Sequence, residues 1–533
     1  MVAGQPAQRC QRLGPGQCAG DHLMADGPKK RYRLLLITPR LELRHPWNLQ
    51  EISELMGKKV FSYPLGLPTV AALTPDHYDI RIVNEEVEEI PFDDPVDIVG
   101  VTTMVPTIQR AYEIVDTFRA RGVPVVMGGT YATFNTDEVL EHASAVVVGE
   151  AEGAWQRCLQ EFESGSMQRV YHAEETPAFT RSPPPRWDLI DTDRLLVLGV
   201  QVSRGCPYRC EFCLVSKMFG NRMRYRELDD VIAEIEQLPK KQLFFVDDNL
   251  TANKAYAREL MQRLAPLRVS WSCQASIDVA YDTELLRAMA DAGCSSILIG
   301  FESVDPSSLA ETRKFHNRIQ RYEEAIANVH AAGMQIIGAF IVGFDADTAE
   351  AFDHIYRFTT RNNISQVMLS TLTVLPGTDL RKRMGEEGRL VDADPRLING
   401  VYPCMRYHNF TPEALFRGYF DLLERVYDYE LLEKKGRALF ENGAFAEPVR
   451  CPVPLSEKLR VSVTILFTFI LTLNAPRRRL FLRLFPLASR GLVSFDKLFI
   501  YLLFMEAFHR YPIHMRSTHE KALGLIRRFQ TDG

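Results

Sequence analysis

Three cysteines crowd into eight residues of the segment SRGCPYRCEFCLVSKMFG: Cys206, Cys210 and Cys213, spaced C-x3-C-x2-C. Soft thiolates at that density suit an iron–sulfur cluster, and a [4Fe–4S] cluster normally takes four cysteine ligands. Three leave one iron open. An open iron can chelate an outside ligand, and a low-potential cluster can pass that ligand an electron. Zinc, or three incidental buried thiols, is the rival reading. Zinc wants a fourth protein ligand, and the fifty residues after Cys213 hold neither His nor Cys.

Such a loop needs a rigid support. Six strand-like runs, LVLGVQVS (196–203), QLFFV (242–246), VSWSCQA (269–275), SILIGFE (296–302), QIIGAFIVG (335–343) and QVMLSTLTV (366–374), alternate with helical stretches. In the first such stretch Leu228, Val231, Ile232, Ile235 and Leu238 form one apolar stripe over polar Asp229, Glu234 and Glu236. The expectation is a partial (β/α)6 barrel over 195–390 with the cysteines just after its first strand, at the carboxyl ends where such barrels keep their active sites.

Ahead of it, LLLIT (34–38), DIRIVN (79–84), DIVGVT (97–102), VPVVMGG (123–129) and AVVVG (145–149) predict an α/β, doubly wound, flavodoxin-like domain over 31–165. SGS and SPPPRW mark 166–194 as a linker. Residues 1–30 read as a disordered tail, and Met24 precedes a cleaner beginning, so Cys10 and Cys18 carry little weight. Residues 391–533 are expected to form a helical cap. Its longest uncharged run, VSVTILFTFILTL (461–473), falls short of the roughly 20 residues that span a bilayer.

The cysteine spacing, with aromatic Phe212 before the last thiol at the opening of a six-unit barrel, resembles the radical S-adenosylmethionine superfamily over about 196–380. The resemblance implies an open iron that binds the amino and carboxylate groups of S-adenosylmethionine. One-electron reduction, from a flavodoxin- or ferredoxin-type donor, then releases a 5′-deoxyadenosyl radical. FFVDDN places Asp247, Asp248 and Asn249 where the family receives the cosubstrate's amine, although the common Gly-Gly-Glu form is absent. Either aspartate could hold an ammonium by charge-assisted hydrogen bonds, or simply cap a helix. GFES and GAFIVGF end the fourth and fifth strands, where Gly300, Gly338 and Gly343 would let a nucleoside approach and Glu302 would supply a polar contact. Glycines that only relieve crowding look the same in sequence. Gln274 and Ser276 are weaker candidates.

A doubly wound domain before such a barrel resembles the cobalamin-binding branch. TTMVPT (102–107), MGGTYAT (127–133) and VVGEAE (147–152) stand where that branch contacts the corrinoid, which singles out Thr102, Thr103, Gly128, Gly129, Gly149 and Glu150. The Asp-x-His-x-x-Gly motif that gives cobalt a histidine is absent, and His45, in TPRLELRHPWN, stands in no such motif. The implied cobalamin therefore lacks a protein histidine. A corrinoid-free domain has the same outline. SRGCPYRCEFC, FFVDDNLTANK, FIVGFDAD and LPGT (375–378) are most similar to the subgroup containing hopanoid C-2 methylases, over roughly 31–515. That implies a B12-dependent methyltransferase acting on an unactivated carbon of an apolar, lipid- or terpenoid-like substrate. Radical cyclases and oxidases, such as tetrapyrrole cyclases, use the same parts without moving a methyl group. A corrinoid-binding sensor with a vestigial cluster is the reading from another class.

A formal net charge of -5, from 63 basic and 68 acidic residues, supplies no field for a nucleic-acid backbone. Ten cysteines in 533 residues suit metal ligation in a reducing, cytoplasmic setting better than a disulfide framework. Between 461 and 516, Arg477, Arg478, Arg479, Arg483, Arg490, Lys497, Arg510 and Arg516 face only Asp496 and Glu506. Apolar helices edged this way suit the anionic inner face of a membrane, and an internal cap on the barrel mouth is the alternative. Tyr402, Cys404, Tyr407 and His408 are placed near the substrate end of the barrel, as packed residues rather than hydrogen donors.

Overall fold

The computed structural model describes residues 30–43, 49–172, 179–445, 451 and 453–531; residues 1–29, with Cys10 and Cys18, and His45 lie outside them. The chain first builds a parallel sheet from β1 (Tyr32–Thr38), β2 (Tyr78–Asn84), β3 (Ile98–Thr102), β4 (Val125–Gly128), β5 (Ala145–Val148) and β6 (Val170–His172). Their order is β2-β1-β3-β4-β5-β6. Continuous Val/Leu/Ile runs form these strands because helices cover both faces, and Leu34 to Ile37 are all buried. The order reverses direction between β1 and β3, so the carboxyl ends of those strands flank the switch point where doubly wound sheets take ligands.

β6 falls inside the expected linker. Three residues between polar neighbours carry no periodicity, yet Tyr171 is buried and its hydroxyl donates to Glu161 at 2.8 Å, which fixes the segment as an edge strand.

The second sheet holds β7 (Leu198–Val200), followed in the chain by the antiparallel pair β8 (Ser203–Arg204) and β9 (Arg224–Tyr225), and then β10 (Gln242–Phe245), β11 (Ser270–Ala275), β12 (Cys294–Glu302), β13 (Gln335–Val342) and β14 (Gln366–Thr371). Its order is β14-β13-β12-β11-β10-β7, with every pair parallel: six βα units, as expected, left open between β7 and β14. In the helix Leu228–Gln237 the stripe of Leu228, Val231 and Ile235 is buried as predicted. Glu234, however, is not on a solvent face: it is buried and paired with Arg226 at 2.6 Å.

Beyond the barrel lie the helices Pro412–Val426, Tyr429–Glu441, Leu455–Ile465, Ala475–Ser489 and Phe495–Thr531; the third runs on into a π-helical turn, Leu466–Ile470. Tyr419 and Tyr427 donate to the β14 carbonyls of Leu369 and Val367 at 3.1 and 2.8 Å, which docks this region on the last barrel strand. Among the described residues no helix is long and apolar enough to cross a membrane.

Candidate functional site

The cysteine loop leaves β8 at Gly205 and is anchored from below by Asp247. That carboxylate is fully buried and accepts from the backbone N–H of Val202 at 3.2 Å, from that of Ser203, and from the Ser203 hydroxyl at 2.5 Å. Burial pushes its pKa up to about 7 despite those donors. The expectation that Asp247 reaches the cosubstrate is therefore corrected: its oxygens are committed to the chain leading into the loop. Asp248 is the carboxylate that faces outward. It is only partly buried, burial raises its pKa to about 6, and its charge is felt by Cys206 and Cys213.

Burial likewise holds the three thiols as neutral acids, with Cys210 raised to about 12 and Cys213 to about 11. A cationic metal cluster would reverse this, because thiolate is the ligating form. Glu211, inside the loop, makes a two-pronged pair with Arg383 at 2.9 and 3.1 Å, so the loop is strapped across the barrel's open side. Phe212 packs partly buried against the core.

Around the loop stand residues that spacing alone did not reveal. Lys314 is paired with Glu302 at 2.7 Å, donates to the Gly300 carbonyl at 2.8 Å and acts on the charge of Cys206 and Cys210. Glu302 holds this position at φ 63°, a left-handed conformation that bulky residues seldom adopt, where the β12–β13 register shifts. Tyr208 stacks on His316 at 3.6 Å, and Asn249 and Ser276 exchange two hydrogen bonds. Lys314 and His316 lie in TRKFHN, a loop with no chemical signature, and only the fold brings them to the cysteines.

The glycines divide. The Glu302 and Lys314 side chains fill the space beside Gly300. A Cβ at Gly338 would meet Phe340 and Ile364, and one at Gly343, where φ is 103°, would meet Tyr407, so close packing gives both glycines a structural reason beside the expected nucleoside approach. Tyr402, Cys404 and Tyr407 are buried and His408 is exposed, with Tyr407 bonded to the Leu372 carbonyl at 2.8 Å.

In the first domain Gly129 sits at φ 98°, and a Cβ there would lie 2.6 Å from the Thr103 carbonyl oxygen, so only glycine fits. Thr103 is buried, donates to the Gly128 carbonyl at 2.8 Å and accepts from Ala132 N–H at 3.2 Å. The Gly149 N–H donates to the Thr133 hydroxyl at 3.0 Å, and Thr102 is half-buried at the end of β3. Glu150 is corrected from a corrinoid contact to a latch between domains. It pairs with Arg204, the last residue of β8, at 2.6 Å and with Arg224 of β9 at 2.5 Å. Arg204 also reaches Glu152 at 2.7 Å and lies over the Phe179 ring.

A chamber of about 1110 Å³ joins the two domains. Its first-domain wall includes Thr38, Asn84, Met104 and Thr107, at the ends of β1, β2 and β3. It runs through the barrel interior along Phe244, Val246, Gln274, Leu298, Ile337 and Met368 to Phe499, Phe504 and Phe508 of the last helix. Thr102, Thr103, Gly128, Gly129, Gly149 and Glu150 do not line it.

The residues fit the groups the sequence implies. Cys206, Cys210 and Cys213 are free, partly buried thiols of one loop, the donor set an iron–sulfur cluster takes. A [4Fe–4S] cubane gives each thiolate its own iron. At the other end, no histidine among the described residues lines the chamber wall at the switch point, which fits a corrinoid whose cobalt takes none from the protein.

Comparison with known proteins agrees. The model of the radical SAM superfamily matches residues 200–359 and that of the B12 binding domain matches 59–159. The bacteriochlorophyllide d C-12(1)-methyltransferase of Chlorobaculum tepidum is 31% identical over 78% of this chain and 91% of that protein. The hopanoid C-2 methylase of Rhodopseudomonas palustris is 26% identical over 74% of this chain and 80% of its own length. The structure of OxsB, a cobalamin-dependent S-adenosylmethionine radical enzyme, shares the fold with a TM-score of 0.58 at 13% identity, over 94% of this chain and 84% of that one. With its cofactors thereby given as a [4Fe–4S] cluster, S-adenosylmethionine and cobalamin, the chain belongs to the cobalamin-binding radical S-adenosylmethionine enzymes, among the methyltransferases of that family.

Proposed function

We propose that the enzyme methylates an unactivated carbon of an apolar, lipid- or terpenoid-like molecule, and that Cys206, Cys210 and Cys213 hold the cluster. The observation that carries the substrate class is the chamber: its length runs from the first domain's switch point to the C-terminal helices between aromatic and aliphatic walls. When bound, the cofactors supply the radical and the methyl group. The chain's own residues do the rest. Phe244, Val246, Leu298, Ile337 and Met368 exclude water and leave an apolar body only van der Waals anchors. Asp248, Glu302 and Lys314 present two carboxylates and an ammonium beside the cysteine loop, a set complementary to an amino acid and a ribose. The relatives named for a hopanoid and for bacteriochlorophyllide support a large, apolar substrate.

The same reading places the C-terminal helices on the inner face of a membrane. Phe467, Leu471, Leu473 and Leu482 are all more than half exposed, and Arg478, Arg479 and Arg490 are exposed among them without an ion-pair partner among the described residues. Arg477, Arg483 and Arg510 are corrected: they pair internally with Glu506 and Glu433. The Arg516 side chain lies outside the described residues.

The test is a lipid and pigment comparison between a deletion strain and its parent, followed by turnover of the missing product's precursor with methyl-deuterated S-adenosylmethionine. A product carrying the label supports methylation. A product of changed oxidation state without it assigns the enzyme to cyclase or oxidase chemistry. A Cys206, Cys210 and Cys213 to Ala triple variant that still releases 5′-deoxyadenosine would overturn the cluster assignment.

A further inference from the structure

The chamber is apolar along the barrel but not at its floor, the amino-terminal end of the strands. The charged residues that line that end include Lys58 from the first domain, Asp193, Lys240 just before β10, and Glu457 and Arg460 of the helix Leu455–Ile465, beside a Lys458–Asp496 pair at 3.1 Å. Lys58, its side chain only 7% exposed, pairs with Glu457 at 3.1 Å and donates to the Asp193 carbonyl at 3.0 Å. Arg460 approaches the same Glu457 oxygen at 3.4 Å, and its Nε is buried with no partner. Among the described residues Lys240 donates to the Leu195 carbonyl, at 2.8 Å, and is near enough to Lys58 for the two ammonium groups to repel. Among the described residues Lys58, Lys240 and Arg460 thus outnumber the carboxylate they surround, that of Glu457, which is itself 30% exposed, while Asp193 is exposed to water. Burial and the neighbouring Lys58 press the Lys240 pKa down to about 8, the mark of a site short of negative charge.

A partly buried surplus of positive charge at one end of an apolar chamber is costly unless an anion joins it. We propose that this floor binds a carboxylate or phosphate carried by the substrate itself, which makes the substrate an amphiphile: an anionic end on Lys58 and Lys240, an apolar body extending up the barrel. The inference rests on the reading that the chamber holds the substrate.

The test is equilibrium binding of tritiated palmitate and tritiated hexadecanol, below their aggregation limits, to the reconstituted holoenzyme. Palmitate should bind about tenfold more tightly or better, as a charge-assisted contact predicts. A Lys58→Gln, Lys240→Gln double variant should bring the two affinities together while leaving hexadecanol unchanged, with iron and cobalamin content reporting that the variant is folded. The wild-type ratio tests the proposal even if that variant does not fold. Equal binding of both probes overturns the anion subsite alone. Binding of neither overturns the chamber reading and the subsite with it. A variant that loses sedimentation with phosphatidylglycerol vesicles, while its parent binds both probes alike, assigns the lysines to lipid headgroups and overturns the proposal.

Discussion

Replacing Asp247 separates a support of the cysteine loop from a ligand of the cosubstrate. In Asp247→Ala three donors, the N–H groups of Val202 and Ser203 and the Ser203 hydroxyl, lose their acceptor in a fully buried place. Each orphaned donor costs about 1–3 kcal/mol, so the bonds alone amount to about 5 kcal/mol. Against this stands the burden of a buried charge: a pKa near 7, up from the ordinary aspartate range, weighs against the ionised form by about 4 kcal/mol. At pH 8 the two largely offset, and the variant should lose about 1–2 kcal/mol. The sign with pH follows from the raised value. The folded protein keeps a proton that the unfolded chain releases, so the carboxyl's contribution is full at low pH and fades as pH rises through 7. The deficit of Asp247→Ala should therefore be larger at pH 6 than at pH 8, by about 1 kcal/mol. Asp247→Asn, always neutral and still offering a carbonyl, should lose about 1 kcal/mol at either pH. Urea unfolding followed by circular dichroism gives the stabilities, and iron per chain after anaerobic reconstitution should fall in Asp247→Ala. An Ala variant with wild-type stability and full iron, but S-adenosylmethionine bound tenfold more weakly, would refute this account and return Asp247 to the cosubstrate.

Three other outcomes are expected. Glu150→Gln leaves Arg204 and Arg224 short of a buried countercharge and should lower stability by about 2 kcal/mol, with earlier loss of cluster than of cobalamin on heating, read by visible absorbance. Lys435, buried with the Ile364 carbonyl as its acceptor among the described residues, has its pKa pressed down to about 7, so the unfolded chain holds a proton that the folded one gives up and stability rises with pH above 7. Lys435→Met should therefore melt higher at pH 7.5, by about 2 kcal/mol in stability, and lose that advantage by pH 10. Phe467→Glu with Leu471→Glu should abolish sedimentation with anionic vesicles without changing iron content, whereas unchanged sedimentation would make the exposed helix face something other than a membrane contact.

The strands and the cysteine loop were legible because their signals are local: unbroken Val/Leu/Ile runs announce a sheet covered on both faces, and three thiols within one loop announce their shared ligand. What sequence hid was direction. FFVDDN shows two adjacent aspartates, but alternation along the chain turns Asp247 into the core and Asp248 out, and nothing in the residue types says which. Gly338 and Gly343 look like openings for a nucleoside, and nothing in the sequence shows Phe340, Ile364 and Tyr407 packed beside them. Glu150, in the loop after β5, and Arg204, the last residue of β8, are 54 residues apart, and their pairing is set by docking. β6 escaped because three residues cannot display a period, and Glu234 because a charged residue next to an apolar stripe ordinarily faces water.

The chamber draws its wall from two distant stretches of chain. Its upper end lies against the first domain at the ends of β1, β2 and β3, while its lower end is built in part by the helices Leu455–Ile465 and Phe495–Thr531, and neither Cys206, Cys210 nor Cys213 lines it. Substitutions in Val461, Phe499, Phe504 or Phe508 can therefore reshape what the barrel admits and leave electron transfer and radical formation as they are. A fold arranged this way can change its diet by exchanging its tail, and chimeras that graft the helices from Pro412 to Thr531 between relatives would be the direct route to moving one enzyme's selectivity onto another's engine.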